Sequence, residues 1–121
     1  MTTNHRESDT KPNEWGVVRK LAMPTLVIRC DIQEVETDNG IQYKFIEIIG
    51  NPGMLDYGSF VSAIINAKYP YDEIESIRNN YLLDGQSNEK HRKEFQEFQE
   101  FRDYAKSYVT QIIDKVKHYF N

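Results

Sequence analysis

The side chains of this 121-residue chain that could do chemistry are His5, His91 and His118, the single Cys30, Ser59 and Ser62, and the carboxylate pairs Asp72-Glu73 and Glu34/Glu36. His91 has Glu94 one turn on and His118 has Asp114 one turn back, so each pair can share a helix face. A metal centre of zinc type needs three or four converging ligands, and each face offers two. Cys30 falls in a β-branched run with no neighbour that would lower its thiol pKa, so it reads as a small buried hydrophobe. The serines lie on a helical pattern, without the sharp strand-to-helix turn of a nucleophile elbow and without an obvious partner base. Asn51-Pro52-Gly53 is too short to cradle a phosphate, and no P-loop or dinucleotide fingerprint occurs. Nothing around the carboxylate pairs would bury them and raise a pKa. These residues predict a protein that is not an enzyme, with no cofactor and no metal.

The elements that must position any site follow from composition and periodicity. The hydrophobic fraction is 39% and the charged fraction 28%, with fifteen aromatic residues, which fits a globular chain with one real core. A lone cysteine fits a reducing compartment, the N-terminal residues lack a signal-peptide apolar region, and no apolar run is long enough to span a bilayer. The expected location is cytoplasmic or virion-associated, with no membrane contact. Residues 31–89 hold eleven Asp/Glu against three Lys/Arg, while the flanking segments are each net +2. Such a middle repels a phosphate backbone, which argues against nucleic acid as partner.

Residues 1–14 contain no apolar side chain beyond Met1 and read as a disordered polar tail. Residues 15–121 read as one α+β domain, β-rich over 15–50, with two short helices over 55–83 and a long helix over 89–119. Residues 15–22 are open between strand and helix, and a strand there would make the hairpin that follows three-stranded. Two β-branched runs flank Asp38-Asn39-Gly40 and predict that antiparallel hairpin. A three-residue loop with Gly40 at positive φ pairs Val35 with Tyr43, Glu34 with Lys44, Ile32 with Ile46 and Cys30 with Ile48. In that register the base is apolar on one face, while Val35, Ile41, Tyr43 and Phe45 lie on the other. Either the hairpin twists and bulges under cover of its own chain, or its tip contacts something else.

After Gly50-Asn51-Pro52-Gly53, an Asp56 N-cap with a Leu55/Phe60 staple starts a helix with the stripe Tyr57, Phe60, Val61, Ile64 and Ile65. Beyond Tyr69-Pro70-Tyr71, Asp72 and Glu75 restart a helix in capping-box style, with Ile74, Ile77, Tyr81 and Leu82 inward, and 84–88 is a loop. This helix pair is not a DNA reader, because its second helix begins Asp72-Glu73-Ile74-Glu75. The long helix has an apolar face about 140° wide, across which Phe95, Phe98 and Phe101 fan. That breadth, and the absence of leucine, predict a core packed against two helices and a sheet rather than a coiled-coil seam. Phe101, Tyr104, Tyr108 and Tyr119 line one margin, where exposed aromatics would anchor a partner. Ile113, Val116 and Phe120 would need a second subunit if the short helices leave them uncovered.

From Leu55 onward, the run LDYGSFVSAIINAKYPYDEIESIRNNYLLD, a polar gap and EFQEFQEFRDYAK resemble the C-terminal part of small proteins encoded in phage and prophage tail gene modules. The matching positions are Tyr57, Ala63, Ile64, Ile65, Tyr69, Asp72, Ile77, Asn80, Tyr81, Phe98, Phe101, Arg102, Ala105 and Lys106, within about residues 55–110. The resemblance implies a virion-associated or mobile-element accessory protein and carries no catalytic motif. The expected function is structural or protein-interacting, in tail or fibre assembly, with a protein partner or a homo-oligomer. The alternative is an intracellular regulator that binds another protein or a nucleic acid.

Overall fold

The computed structural model describes residues 2–20, 23–50 and 57–120, with side chains for all but 18–20, 23–24 and 117–120. The elements in chain order are β1 (Thr2–Ser8), β2 (Trp15–Lys20), β3 (Met23–Thr37), β4 (Gly40–Gly50), α1 (Tyr57–Lys68), α2 (Tyr71–Asp84) and α3 (Glu89–Phe120). The strands form one antiparallel sheet in the order β1-β4-β3-β2, and the helices make the architecture α+β. The open question at residues 15–22 is settled as strand over Trp15–Lys20, and Trp15 packs against the core. The Asp56 cap and Leu55 staple lie outside the described residues.

The N-terminal residues are not a tail. Thr2–Ser8 pair with β4 from Thr2↔Ile49 to Ser8↔Tyr43, a strand with no buried side chain. Its stabilisation comes from backbone hydrogen bonds along an edge, which composition does not reveal.

The hairpin register also differs from the pattern-based one. Gly40 has the expected positive φ, 113°, but the ladder closes around Asp38-Asn39, pairing Thr37 with Gly40 and Val35 with Gln42. Between Cys30 and Gln33 it slips once more, so that Asp31 and Ile32 together face Phe45. Asp31 takes φ 51°, a left-handed conformation that aspartate tolerates better than most residues. Below the bulge Cys30 pairs with Ile46 and Ile28 with Ile48. This brings Leu26, Ile28, Cys30, Ile46 and Ile48 onto the face that the helices cover.

Six residues, Asp9 to Glu14, cross from one sheet edge to the other. They pass over the face away from the helices. The Arg29 guanidinium on that face donates to the Asn13 carbonyl at 3.3 Å and meets the Glu47 carboxylate at 3.3 Å. Phe45 and Val27, on the same face by strand alternation, are buried. The hairpin thus both bulges and is crossed on its second face by its own chain.

α1 and α2 run one after the other, antiparallel to α3. Phe60, Val61 and Ile64 join Phe101, Ala105, Val109, Ile112 and Val116 over the sheet, while Ile74 and Ile77 enclose Phe98. Val116 is fully buried inside the chain and needs no second subunit. The Tyr69 ring sits between the two clusters, edge-on to Phe98 at 5.3 Å and to Phe101 at 5.8 Å. α2 starts differently from the expected box: Pro70 occupies the N-cap and no side chain caps the helix, leaving Asp72 and Glu73 in the first turn. α2 also runs on through Asp84, and Leu82, expected inward, is 81% exposed.

The α2–α3 corner is tied by side chains. His91 Nδ1 lies 2.5 Å from Asp84 Oδ1, and Asn88 donates to the other Asp84 oxygen while accepting from the His91 backbone N–H. His91 therefore partners Asp84 rather than Glu94. The hydrogen bond to His91, followed by that from Asn88, holds the Asp84 carboxyl below its ordinary range. Gly85 closes the corner because of space, not φ: a Cβ there would lie 2.2 Å from Tyr81 Cδ2 and 2.6 Å from the Tyr81 carbonyl oxygen. Gly85→Ala must push the Tyr81 ring off Phe95, on which it stacks at 4.1 Å. The expected loss is about 1–3 kcal/mol in urea unfolding; an unchanged midpoint would refute this reading of the glycine.

Candidate interaction surface

The outer hairpin is a two-stranded arm. Pairing with β1 ends at Ser8↔Tyr43, whereas β3 and β4 pair on to Thr37↔Gly40. On one face of the arm Ile41 stands opposite Glu36 and Tyr43 opposite Glu34. Ile41 is 47% exposed, Tyr43 is half-buried, and Glu34, Glu36 and Asp38 are exposed. Of the four candidate residues at the tip, two fall away from this surface. Phe45 is only 8% exposed. Val35, paired with Gln42 rather than Tyr43, lies on the opposite face. Like-with-like pairing misplaced Val35, because the bulge, not the turn, reconciles the two halves of the hairpin.

On the aromatic margin of α3, Phe101 and Tyr108 serve the fold, while Tyr104 keeps 37% of its surface exposed. Phe101 is buried, edge-on to Tyr69 and covered by the Lys68 ammonium 4.5 Å from its ring centroid. Tyr108 donates its hydroxyl proton to the Arg29 carbonyl, and the Asp31 backbone N–H donates to the Tyr104 hydroxyl oxygen at 2.8 Å. The two tyrosines cap backbone groups at and beside the bulge. The Tyr119 side chain lies outside the described residues. A β-bulge facing a helix with tyrosines one turn apart is the signal that could have assigned Tyr104 and Tyr108, but the bulge itself is not visible in the pattern of residue types.

Lys68 also pairs with Asp31 at 3.7 Å. Clefts of about 460 Å³ and 440 Å³ lie on the two sides of this pair, the first against β1 and β4 and the second against α3. Two further cations of the first cleft are engaged: Arg6 with Glu47 at 3.3 Å and Lys44 with Glu7 at 3.7 Å. Beneath, burial and then the Asp31 charge push the Cys30 thiol up to about 12, so it stays protonated and weakly nucleophilic. Among the described residues, no group of three or more His, Cys, Asp or Glu side chains is placed to hold a metal, and no helix is long and apolar enough to cross a membrane.

Fold and surface together define an α+β chain, a four-stranded antiparallel sheet with helices on one face and a projecting acidic arm. No family model, no curated protein and no solved structure matches it.

Proposed function

We propose that this chain is a non-catalytic structural or interaction protein, of the phage or prophage tail-module kind implied by the resemblance of its helical part. It binds another protein through the outer face of its hairpin arm. The observation that carries the reading is the arm itself: a two-stranded extension that presents Ile41 at 47% exposure beside Tyr43. Exposed Glu34, Glu36 and Asp38 surround them. An aromatic and an aliphatic side chain within an acidic rim fit a protein surface with an apolar centre and basic edges, and disfavour a phosphate backbone.

Because Ile41 and Tyr43 are not core residues, their loss should separate binding from folding. The chain and its Ile41→Asp/Tyr43→Ser variant, co-expressed in turn with the products of neighbouring genes, would be compared by co-elution and titration. At least one product should bind the native chain, and the variant should bind it more than tenfold more weakly at an unchanged melting temperature. Equal binding by both, or binding by neither, would overturn the assignment of the arm.

A further inference from the structure

The α2–α3 pair has two flanks of opposite character. One is an acidic cleft lined by Glu73, Asn80, Glu94 and Glu97. The other lies on the far side of the Tyr81–Phe95 stack that joins the two helices. On α2 it carries Tyr71, Glu75, Arg78 and Leu82, which recur at helical spacing along one exposed stripe. On α3 the same rotation brings up Arg92. Tyr71 is 70% exposed and Leu82 81%, so this flank shows uncovered apolar side chains. Arg78 and Arg92 outweigh Glu75 and make it basic. Among the described residues neither arginine is in an ion pair, and the Arg78 guanidinium rests 5.6 Å from the Phe98 ring centroid.

The hairpin arm is the counterpart. Glu34, Glu36, Ile41 and Tyr43 stand together on one of its faces, as the pairs Glu36↔Ile41 and Glu34↔Tyr43. Glu34, Glu36 and Asp38 are exposed and, among the described residues, in no ion pair. Laid across the flank, the arm sets apolar centre on apolar centre and carboxylates on guanidinium groups. The arm of the same copy is not placed to do this. Tyr104 and Tyr108 mark the side of α3 that faces the sheet from which the arm springs. Arg92 lies about 120–160° round the helix from them.

We infer that the α2–α3 flank receives the hairpin arm of a second copy, with Ile41 and Tyr43 packed on Leu82, and Glu34 and Glu36 paired with Arg78 and Arg92. The inference rests on the arm as a protein-binding surface and names a second copy as its occupant. The contact joins two different surfaces, so two copies that reciprocate make it twice. Its charged rim makes the association sensitive to salt.

Charge exchange tests it, with light scattering for mass and circular dichroism for the fold. At low salt the native chain should associate as concentration rises. Leu82→Asp should weaken that association about tenfold or more at an unchanged melting temperature. Glu34→Lys/Glu36→Lys on the arm and Arg78→Glu/Arg92→Glu on the flank should each abolish it. Mixed in equal amounts, those two variants should associate again, because each arm then meets a flank of opposite charge. A native chain that stays monomeric at every concentration, or a mixture of folded variants that stays apart, would overturn the inference. So would association that is lost with the arm changes but indifferent to Leu82→Asp and to the flank pair, and that result would leave the arm as the binding surface. A chain that never self-associates yet binds a neighbouring gene product through Ile41 and Tyr43 would sink this inference alone.

Discussion

Phe98→Ala is expected to destabilise the fold by about 3–5 kcal/mol, among the largest single-residue effects in this chain. Phe98 is 1% exposed and is the α3 residue around which Ile74 and Ile77 close. Tyr69 meets its ring edge-on at 5.3 Å, and the Arg78 guanidinium lies 5.6 Å from its centroid. Tyr69 already contacts Phe101 on its other side, which limits how far its ring can move to fill the space. α2 rests on this cluster and on the stack of Tyr81 against Phe95, so the variant should also loosen α2, seen as earlier loss of amide protection there than in the sheet. Phe95→Ala removes a half-buried ring from one stacked partner and should cost about 1–2 kcal/mol. Urea unfolding of the two variants gives the comparison. If Phe95→Ala proved as costly as Phe98→Ala, the division of the helical layer into two clusters would be wrong.

The fan of rings behind that division was legible in the sequence, and the division itself was not. Successive phenylalanines three apart turn about 60° each, so they must meet different neighbours. In the structure Phe95 faces Tyr81, Phe98 faces α2 and Tyr69, and Phe101 joins the sheet-side core. Helical periodicity survives in the residues because the same side chains that set the pattern do the packing. The sheet was legible only in part. β3 and β4 announce themselves by β-branched runs, and Gly40 by its need for positive φ. β1 does not, since TTNHRES is fixed by backbone groups that every residue carries. Nor does the bulge: Asp31 and Ile32 look like any polar–apolar alternation, and the one-residue slip between Cys30 and Gln33 leaves no mark in the residue types. The candidate surface inherits these errors. Phe45 and Phe101 belong to covered faces, Val35 changes sides with the register, and Tyr108 is recruited by a bulge that exists only in three dimensions, whereas Tyr104 accepts from the same bulge and stays exposed. Ile41 and Tyr43 remain because the arm outruns the strand beside it.

Tyr108→Phe should cost about 1–3 kcal/mol, and Tyr104→Phe somewhat less, through backbone groups rather than lost packing. Phenylalanine keeps the ring but leaves the Arg29 carbonyl without the hydroxyl proton it accepts, or the Asp31 N–H without its acceptor. The bulge concentrates this cost, because a ladder that slips between Cys30 and Gln33 leaves backbone groups that no strand neighbour can satisfy. The double variant should lose less than the sum of the two, since both hydroxyls hold the same three residues. The same pair should govern alkaline stability. Burial, as the largest cause, raises both phenols above their ordinary 10.0, Tyr104 to about 12. In the unfolded chain they ionise near 10, so the folded state holds these protons more tightly. The stabilisation they supply is complete below that value and is lost as pH rises through about 12 for Tyr104 and beyond it for Tyr108. Urea midpoints followed from about pH 8 to about pH 11.5 should fall steeply in the native chain and less steeply in the double phenylalanine variant. A double variant as sensitive to alkali as the native chain would mean that Tyr104 and Tyr108 are not the phenols whose burial beside the Asp31 bulge sets the alkaline limit.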